Sequence, residues 1–207
     1  ALLRLMDAEI PRGSKIVALS SLVESGDKIN YGVVQPGVHV DAGVPLIRVG
    51  DLGDGTVNRS AMKSIDSGIE SLHSRSRIRG NEILISCVGS IGIIAEVGPE
   101  DVGSNIARAV ARVPVSKDVN RAWLAAYLRS NKVQRYFTNE LRTVSQPTLN
   151  IKQIQETEII LPPLVLQQAF AIRLEMVHHK CAQRVHSLQA VKQLVNSLAT
   201  QVFTGGG

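Results

Sequence analysis

Residues 161–203 read LPPLVLQQAFAIRLEMVHHKCAQRVHSLQAVKQLVNSLATQVF, which is a helix start followed by a long apolar stripe. Proline suits the first turn of a helix because no backbone N–H is needed there. The apolar residues that follow keep to the a and d positions of one heptad register. We call them the seam: Phe170, Leu174, Val177, Cys181, Leu188, Val191, Val195, Leu198 and Val202. We predict one helix over about residues 163–203, roughly 60 Å long, that needs a second helix to cover the seam.

The preceding residues have the pattern of a sheet-based domain. Strand-sized apolar runs separated by glycine and proline are typical of β-structure, and they fall at residues 32–34, 45–49, 82–86, 91–97 and 107–113. Residues 1–25 predict a short helix or coil, whereas apolar spacings of three and four over residues 120–142 predict a helix capped by Asn120. We therefore predict an α+β chain, with a mixed α/β domain containing a twisted sheet over residues 1–160 and the long helix over residues 161–207.

Positive charge is unevenly distributed along the chain. The 207 residues carry a net charge of +5, but residues 1–103 contain 10 Lys/Arg against 13 Asp/Glu and residues 104–152 contain 9 against 2. A shorter basic run, HSRSRIR, occupies residues 73–79. A localised basic face suits the phosphate backbone of a nucleic acid. Ordinary scatter of charge over a solvated surface is the competing interpretation.

Composition places the chain among folded globular domains. Hydrophobic residues make up 44% and charged residues 20% of the sequence, and no apolar run approaches the roughly 18 residues of a membrane span. Because the start also lacks a secretory signal pattern, we predict a cytoplasmic protein with no membrane partner. Cys87 and Cys181 are far apart in sequence, so we expect two small buried hydrophobes rather than a disulfide or a metal site.

The sequence lacks the motifs of enzymes that act on DNA. It contains no glycine-rich phosphate loop, no Asp/Glu-x-Lys triplet of a nuclease, no Cys-x-x-Cys and no His-Glu-x-x-His. Asp51 and Asp54 lie in a glycine-rich segment like that of a calcium loop, but the later glutamate that such a loop needs is missing. We therefore predict no catalytic residue, no metal site and no cofactor on this chain.

Four residue strings follow one another over most of residues 31–203. They are YGVVQPG at 31–37 with VPLIRVGDL at 44–52, GNEILIS at 80–86 with GSIG at 89–92, QPTLNI at 146–151, and LPPL at 161–164 with Gln167, Gln168 and the long helix. Together they resemble half of a type I restriction-modification specificity subunit. The resemblance implies a target recognition domain that reads one half of a bipartite DNA site, and a helix that pairs with a second one in an antiparallel coiled coil.

The resemblance also implies the partners. They are double-stranded DNA, a modification subunit that supplies S-adenosylmethionine and methyl transfer, and in the complete system a restriction subunit. The usual specificity subunit has two recognition domains and two helices, whereas this chain has one set, which implies either a half-length subunit that forms a homodimer or a fragment of a longer chain. In a two-fold homodimer we expect a palindromic target whose halves lie roughly 34–36 Å apart.

We expect the DNA contacts on loops and on the basic stretches, because arginine suits guanine edges and phosphates while asparagine and glutamine suit adenine. The predicted contact residues are Arg75, Arg77, Ser90, Asn105, Arg108, Arg142, Gln146 and Thr148. The main rival interpretation is a non-catalytic coiled-coil interaction protein whose globular head binds another protein. An enzyme, and the specificity part of a system that cuts on both sides of its site, are further alternatives.

Overall fold

The computed structural model describes residues 10–53, 55–141 and 147–204. Within the last helix, side chains are described as far as residue 185 and at 187–189, 191–193 and 196. The chain divides into two compact units, Ala1–Gln168 and Ala169–Gly207. This division falls a few residues beyond the predicted domain boundary at 160/161.

Short strands make up much of the first unit. In the described part of the chain they are β1 (Lys15–Ala18), β2 (Asn30–Tyr31), β3 (Val44–Ile47), β4 (Leu52–Gly53), β5 (Thr56–Val57), β6 (Lys63–Ile65), β7 (Glu82–Ser86), β8 (Ile94–Glu96), β9 (Asn105–Ile106), β10 (Val110–Pro114) and β11 (Glu158–Leu161). The central sheet is antiparallel with the order β2-β10-β7-β8. Every residue of β7 and β10 is buried, which explains why both are mostly continuous apolar runs.

A second sheet, in the order β6-β3-β9, lies beside the first in the same core. Strand β3 is antiparallel to β6 and parallel to β9. The two sheets approach closely at Gly32, because a Cβ there would lie 1.7 Å from the Ile106 carbonyl oxygen. That same oxygen accepts a hydrogen bond from the Val33 N–H at 2.8 Å. Only glycine permits this approach, which gives a physical reason for the glycine in the YGVV string.

Strand β1 pairs with β11 in a separate antiparallel sheet. The sequence predicted a short helix or coil for residues 1–25, and this prediction is wrong at residues 15–18, which form β1. Strand β1 is followed directly by a 3-10 turn at Leu19–Leu22. The local pattern could not reveal the strand, because its partner lies near the far end of the first unit.

The described α-helices are α1 (Ser67–Ser71), α2 (Arg121–Leu128), α3 (Asn131–Leu141), α4 (Ile151–Gln155) and α5 (Leu164–Thr204). The sequence predicted a single helix over 120–142, but the structure breaks it between α2 and α3. Apolar spacing continues across the break, so periodicity alone does not show it. Asn120 caps α2 as predicted, since its side chain accepts a hydrogen bond from the Trp123 N–H at 2.9 Å.

The long helix begins on a fixed support. Gln167, in the first turns of α5, is 2% exposed. Its Oε1 accepts a hydrogen bond from the Asn120 N–H at 2.9 Å, and its Nε2 donates to the Pro162 carbonyl oxygen at 2.8 Å. The predicted α+β class, with sheets followed by a long C-terminal helix, is confirmed, although the β-structure forms several small sheets.

The seam changes in exposure along α5. Phe170 is buried, Leu174 and Val177 are half-buried, and Cys181 is exposed. Leu188 and Val191 are 67% and 58% exposed. The side chains of the remaining seam residues lie outside the described part: Val195, Leu198 and Val202.

Cys87 is buried as predicted, but the burial predicted for Cys181 is wrong for the single chain, where this turn of the helix faces solvent.

Candidate nucleic-acid interface

Arg75 lies in the middle of residues 72–79, which we call the arginine loop. The Arg75 carbonyl oxygen accepts hydrogen bonds from Arg112 Nη1 and Asn30 Nδ2, each at 3.1 Å. The Arg75 side chain is exposed and has no hydrogen-bond or ion-pair partner among the described residues. The fold therefore fixes the Arg75 backbone and leaves its guanidinium available to a ligand.

Arg112 anchors the arginine loop from within the core, where its side chain is fully buried. Arg112 Nε donates to Glu82 Oε1, and Nη1 donates to Asp27 Oδ1, both at 3.0 Å. Glu82 also accepts the backbone N–H groups of Arg79 at 2.9 Å and Gly80 at 2.8 Å. Buried charges persist only when they are paired and hydrogen-bonded, so this network ties the end of the loop to β7 and β10.

Asp27 is the carboxylate at the outer edge of this network. Burial raises the pKa of Asp27, but hydrogen bonds from Arg112 and from the Lys28 N–H, with the charges of Arg112 and Arg79, outweigh that effect and leave the pKa below its ordinary value. Arg79 Nη1 donates to Asp27 Oδ2 at 3.0 Å. Asp27 is therefore ionised at neutral pH and holds both arginines.

Arg77 and Asn105 hold the other side of the arginine loop. Arg77 Nε donates to Glu70 Oε1 at 2.8 Å, and this hydrogen-bonded partner is the main reason that the pKa of Glu70 lies below its ordinary value. Asn105 is fully buried, and its Nδ2 donates to Glu70 Oε1 at 3.0 Å and to the His73 carbonyl oxygen at 3.1 Å. The sequence predicted Asn105 as a DNA contact. Because its side chain is buried, it holds the arginine loop instead.

The arginine loop forms one wall of an open cleft of about 430 Å³, which we call the basic cleft. Lys28, Asn30, Arg75 and Arg79 are among its lining residues. Lys28 and Arg75 are exposed, and the Arg79 side chain is 61% exposed although it pairs with Asp27. Asn30 Nδ2 lies 3.3 Å from the Lys28 carbonyl oxygen as well as 3.1 Å from that of Arg75. The cleft therefore presents positive charge on a fixed backbone.

Three further predicted contacts belong to loops that meet at one end of the central sheet. We call them the loop cluster: Ser90, Arg108 and Thr148. The Cys87 N–H donates to the Ala109 carbonyl oxygen at 2.8 Å, and the Cys87 carbonyl oxygen accepts from the Leu149 N–H at 3.0 Å. Val88 also forms a β-bridge with Thr148. Ser90 and Arg108 are exposed and Thr148 is half-buried.

The Ser90 loop is a turn built on two glycines. Gly89 and Gly92 have φ angles of +76° and +82°, a region that side chains rarely enter. The Ile93 N–H donates to Ser86 Oγ at 2.8 Å, and Ser86 Oγ donates to the Ser90 carbonyl oxygen at 2.5 Å. These bonds hold the backbone of the turn and leave the Ser90 side chain at its tip.

Tyr31 and Cys87 lie beneath the loop cluster and play a supporting part. The Tyr31 hydroxyl donates to the Leu149 carbonyl oxygen at 2.8 Å. Burial raises the pKa of Tyr31 to about 12 and that of Cys87 to about 12. Both groups therefore stay protonated at neutral pH, and Cys87 has no nucleophilic thiolate.

The basic stretch at residues 104–152 does not form a continuous free cationic surface in the described part of the chain. Most of its described cations face carboxylates of the same chain: Arg112 with Asp27 and Glu82, Arg121 and Arg129 with Glu96, Lys132 with Glu158, and Lys152 with Glu156. The sum of charges along the sequence thus overstates the charge available to a partner. Arg108 is one of the cations that remain exposed.

A family model described as the Type I restriction modification DNA specificity domain matches residues 12–192. The chain belongs to this family. A curated relative of this specificity domain, the type I restriction enzyme EcoBI specificity subunit of Escherichia coli, is 33% identical over 201 residues. The match covers 95% of this chain and 42% of the relative. The family resemblance carried by the four residue strings is therefore confirmed.

Two solved structures share the fold of this specificity domain. A chain from a structure of the type I R-M system has a TM-score of 0.67 at 19% identity, covering 95% of this chain and 48% of that chain. The HsdS subunit from Thermoanaerobacter tengcongensis has a TM-score of 0.60 at 19% identity, covering 99% of this chain and 50% of that one. The specificity domain spans about half the length of the relatives it matches.

The basic cleft of the specificity domain also contains residues that the sequence did not single out. Arg79 belongs to the basic run at 73–79 and could have been chosen there. Lys28 and Asn30 join the site only through the pairing of β2 with β10, which no local pattern reveals. Two predicted contacts, Arg142 and Gln146, lie outside the described residues.

Within the ranges that the structure describes, no three His, Cys, Asp or Glu side chains are grouped as a metal ion would require. None of the described helices is both long enough and apolar enough to cross a bilayer.

Proposed function

We propose that this specificity domain reads one half of a bipartite site in double-stranded DNA as the non-catalytic part of a type I restriction-modification complex. The observation that carries the proposal is the basic cleft, in which Arg75 and Lys28 are exposed. The buried Arg112 holds the Arg75 carbonyl oxygen, and Asn30 Nδ2 donates to the carbonyl oxygen of Lys28. Positive side chains fixed in this way suit DNA phosphates, because each phosphate contact releases counterions and little ordering entropy is lost.

The proposed contacts fall into two groups. Arg75 from the basic cleft binds phosphate or guanine, and Ser90, Arg108 and Thr148 from the loop cluster contact the same half-site. Arg77 contributes through the exposed part of its side chain, which is 46% of its surface, while its guanidinium stays paired with Glu70. Arg142 and Gln146 remain predicted contacts from the sequence, in which they come shortly before Thr148.

The long helix α5 is proposed to space two recognition domains. Helix α5 has 41 residues and is roughly 60 Å long. Its exposed seam residues Leu188 and Val191 favour pairing, because each buried apolar side chain contributes about 1.5–3 kcal/mol. Arg184 is the misfit at a d position, and its aliphatic stem can lie along the seam. The partner helix is a second copy of α5, paired antiparallel.

A closed homodimer has a consequence for the DNA target. Two-fold symmetry places equivalent reading surfaces at both ends, so the target is palindromic and interrupted, with halves roughly 34–36 Å apart. In this proposal the modification subunit supplies S-adenosylmethionine and methyl transfer, a restriction subunit completes the system, and all of them work in the cytoplasm. Methylation mapping in cells that express the chain with its modification subunit should return an interrupted palindrome, and an asymmetric motif would rule out the homodimer.

The DNA-binding proposal is tested with the complex of this chain and its modification subunit. Arg75→Gln should weaken binding to a duplex that carries the mapped site and should lower the slope of log K against log salt by about 1. Arg12→Gln is the matched control, because Arg12 is also exposed but lies outside the basic cleft and the loop cluster. If the wild-type complex showed no salt-dependent DNA binding, the interaction-protein alternative would replace the proposal.

Solution mass tests the helix pairing separately. The isolated chain should have about twice its monomer mass of 22.3 kDa. A monomer at micromolar concentration would contradict the homodimer while leaving DNA reading by the recognition domain intact.

A further inference from the structure

Leu72 is an exposed apolar side chain among cations. It is 81% exposed and lines the basic cleft together with Lys28, Arg75 and Arg79. A leucine in this position is not explained by core packing, since so little of it is covered. The surrounding positive charge also argues against an ordinary apolar docking patch, which is usually depleted of charge at its centre.

The backbone on both sides of Leu72 is held in place. Helix α1 directly precedes it and is capped by Asp66, whose Oδ1 accepts from the Gly68 N–H at 2.8 Å. The next residue, His73, is fixed through its carbonyl oxygen by the buried Asn105 at 3.1 Å. Leu72 therefore projects from a short rigid corner rather than from a free loop.

We infer that Leu72 is an apolar wedge that enters a groove of the DNA and inserts at a base step, while Arg75, Arg79 and Lys28 bind the phosphates beside it. The inference rests on the proposed DNA-reading function and assigns the wedge to a residue outside the predicted contact set. Apolar wedges flanked by cations are a known means of unstacking a base step, and the unstacking costs a few kcal/mol that the added contacts offset.

The charge arrangement explains why the wedge would be effective. Cations on fixed backbone positions attract the two phosphate strands that border a groove. A leucine on a fixed backbone meets the base edges with little loss of backbone conformational entropy on binding. The energy of unstacking depends on the base step, so the wedge would also discriminate between sequences that no hydrogen bond reads.

The experiment uses the complex of the full chain with its modification subunit and a duplex that carries the methylation-mapped site. The fluorescent adenine analogue 2-aminopurine replaces each adenine of one half-site in turn, on either strand, because its emission rises when it is unstacked. Wild-type complex should raise the emission at one step. Leu72→Ala should abolish the rise in emission and weaken binding about tenfold. Leu72→Met should keep both the rise in emission and the affinity of the wild type.

Ile16→Ala is the matched control, because Ile16 is also an exposed apolar residue, at 58%, but lies on β1 away from the cleft. Equal thermal midpoints for all variants would show that folding is unchanged. Loss of binding in Leu72→Ala without any emission change in the wild type would overturn the wedge, and so would unchanged emission and affinity in Leu72→Ala. If the wild type failed to bind the duplex at all, the proposed function would fall together with the wedge.

Discussion

The two units of this chain depart from the usual distribution of polar and apolar groups in opposite directions. The first unit buries polar groups, with the charged Arg112 and the neutral amide of Asn105 both fully covered and hydrogen-bonded. The long helix exposes apolar surface, with Leu188 and Val191 more than half exposed. The buried polar groups find their partners within one chain, whereas the exposed apolar groups would be covered by a second helix in the proposed dimer. Residues such as Arg112 therefore belong to folding, and residues such as Leu188 to the proposed assembly.

The largest effect is expected at the buried arginine. Arg112→Met should destabilise the chain by about 3–5 kcal/mol, because the buried Glu82 would lose its charged partner and Asp27 would keep only Arg79. Urea unfolding of the chain at neutral pH measures the change. Arg135→Met, which alters an exposed arginine on α3, should stay within about 0.5 kcal/mol of wild type. If both variants changed the free energy of unfolding by similarly small amounts, the buried Arg112 network would not stabilise the first unit as proposed.

The corresponding test on the helix should affect assembly rather than folding. Leu188→Asp places a charge in the seam and should raise the dimer dissociation constant about a hundredfold, which corresponds to about 2.7 kcal/mol. Sedimentation equilibrium measures the constant. Ile172→Asp is the matched control, because Ile172 is 59% exposed at a position that the heptad register places outside the seam. Equal dissociation constants for the two variants would contradict the proposal that the seam forms the dimer contact.

Asn105→Ala tests whether a buried side chain can act on binding through the arginine loop. Removal of Asn105 takes one donor from Glu70, which keeps Arg77, and one from the His73 carbonyl oxygen, which keeps Ser76. The loss of these buried hydrogen bonds should cost about 1–3 kcal/mol of stability. DNA affinity of the complex should fall at a temperature where the variant is still folded. Asn139→Ala, at an exposed asparagine of α3, should change neither quantity. A stability loss with unaltered DNA affinity would mean that the loop does not require this support.

Local features of the sequence predicted part of this architecture. The long helix, the Asn120 cap and the buried strand β7 depend on residues that are neighbours in sequence, and all three appear where the pattern indicates. The pairing of β1 with β11 depends on a partner far away in the chain, so the sequence pattern missed it. The break between α2 and α3 was missed because the apolar spacing continues across it.

In the candidate site, too, the sequence could not reveal which partners a single side chain would have. Arg75 and Arg77 are two positions apart in one basic run, and no sequence argument distinguishes them. In the structure the Arg77 side chain pairs with Glu70. At Arg75 the hydrogen bonds reach the backbone carbonyl oxygen, and the side chain is exposed. Asn105 was chosen for its residue type, yet its side chain is buried in hydrogen bonds to Glu70, His73 and Ser76, which lie far away in sequence. The residue types of the site were predictable, but their partners were not.

The smallest expected effect concerns pH. The pKa values of Asp27 and Glu70 lie below their ordinary values in the folded chain, so both carboxylates stabilise the fold above about pH 4, and this contribution is lost as the pH falls toward their folded pKa values. Urea midpoints at pH 7, 5, 4 and 3 should therefore decline for the wild type. Glu70→Gln should be less stable at pH 7 and should decline less over the acidic range, whereas Glu100→Gln, at an exposed carboxylate, should follow the wild type. If the Glu70→Gln curve ran parallel to that of the wild type, the pair of Glu70 with Arg77 would not stabilise the arginine loop, and the loop would depend on the buried Arg112 and Asn105 alone.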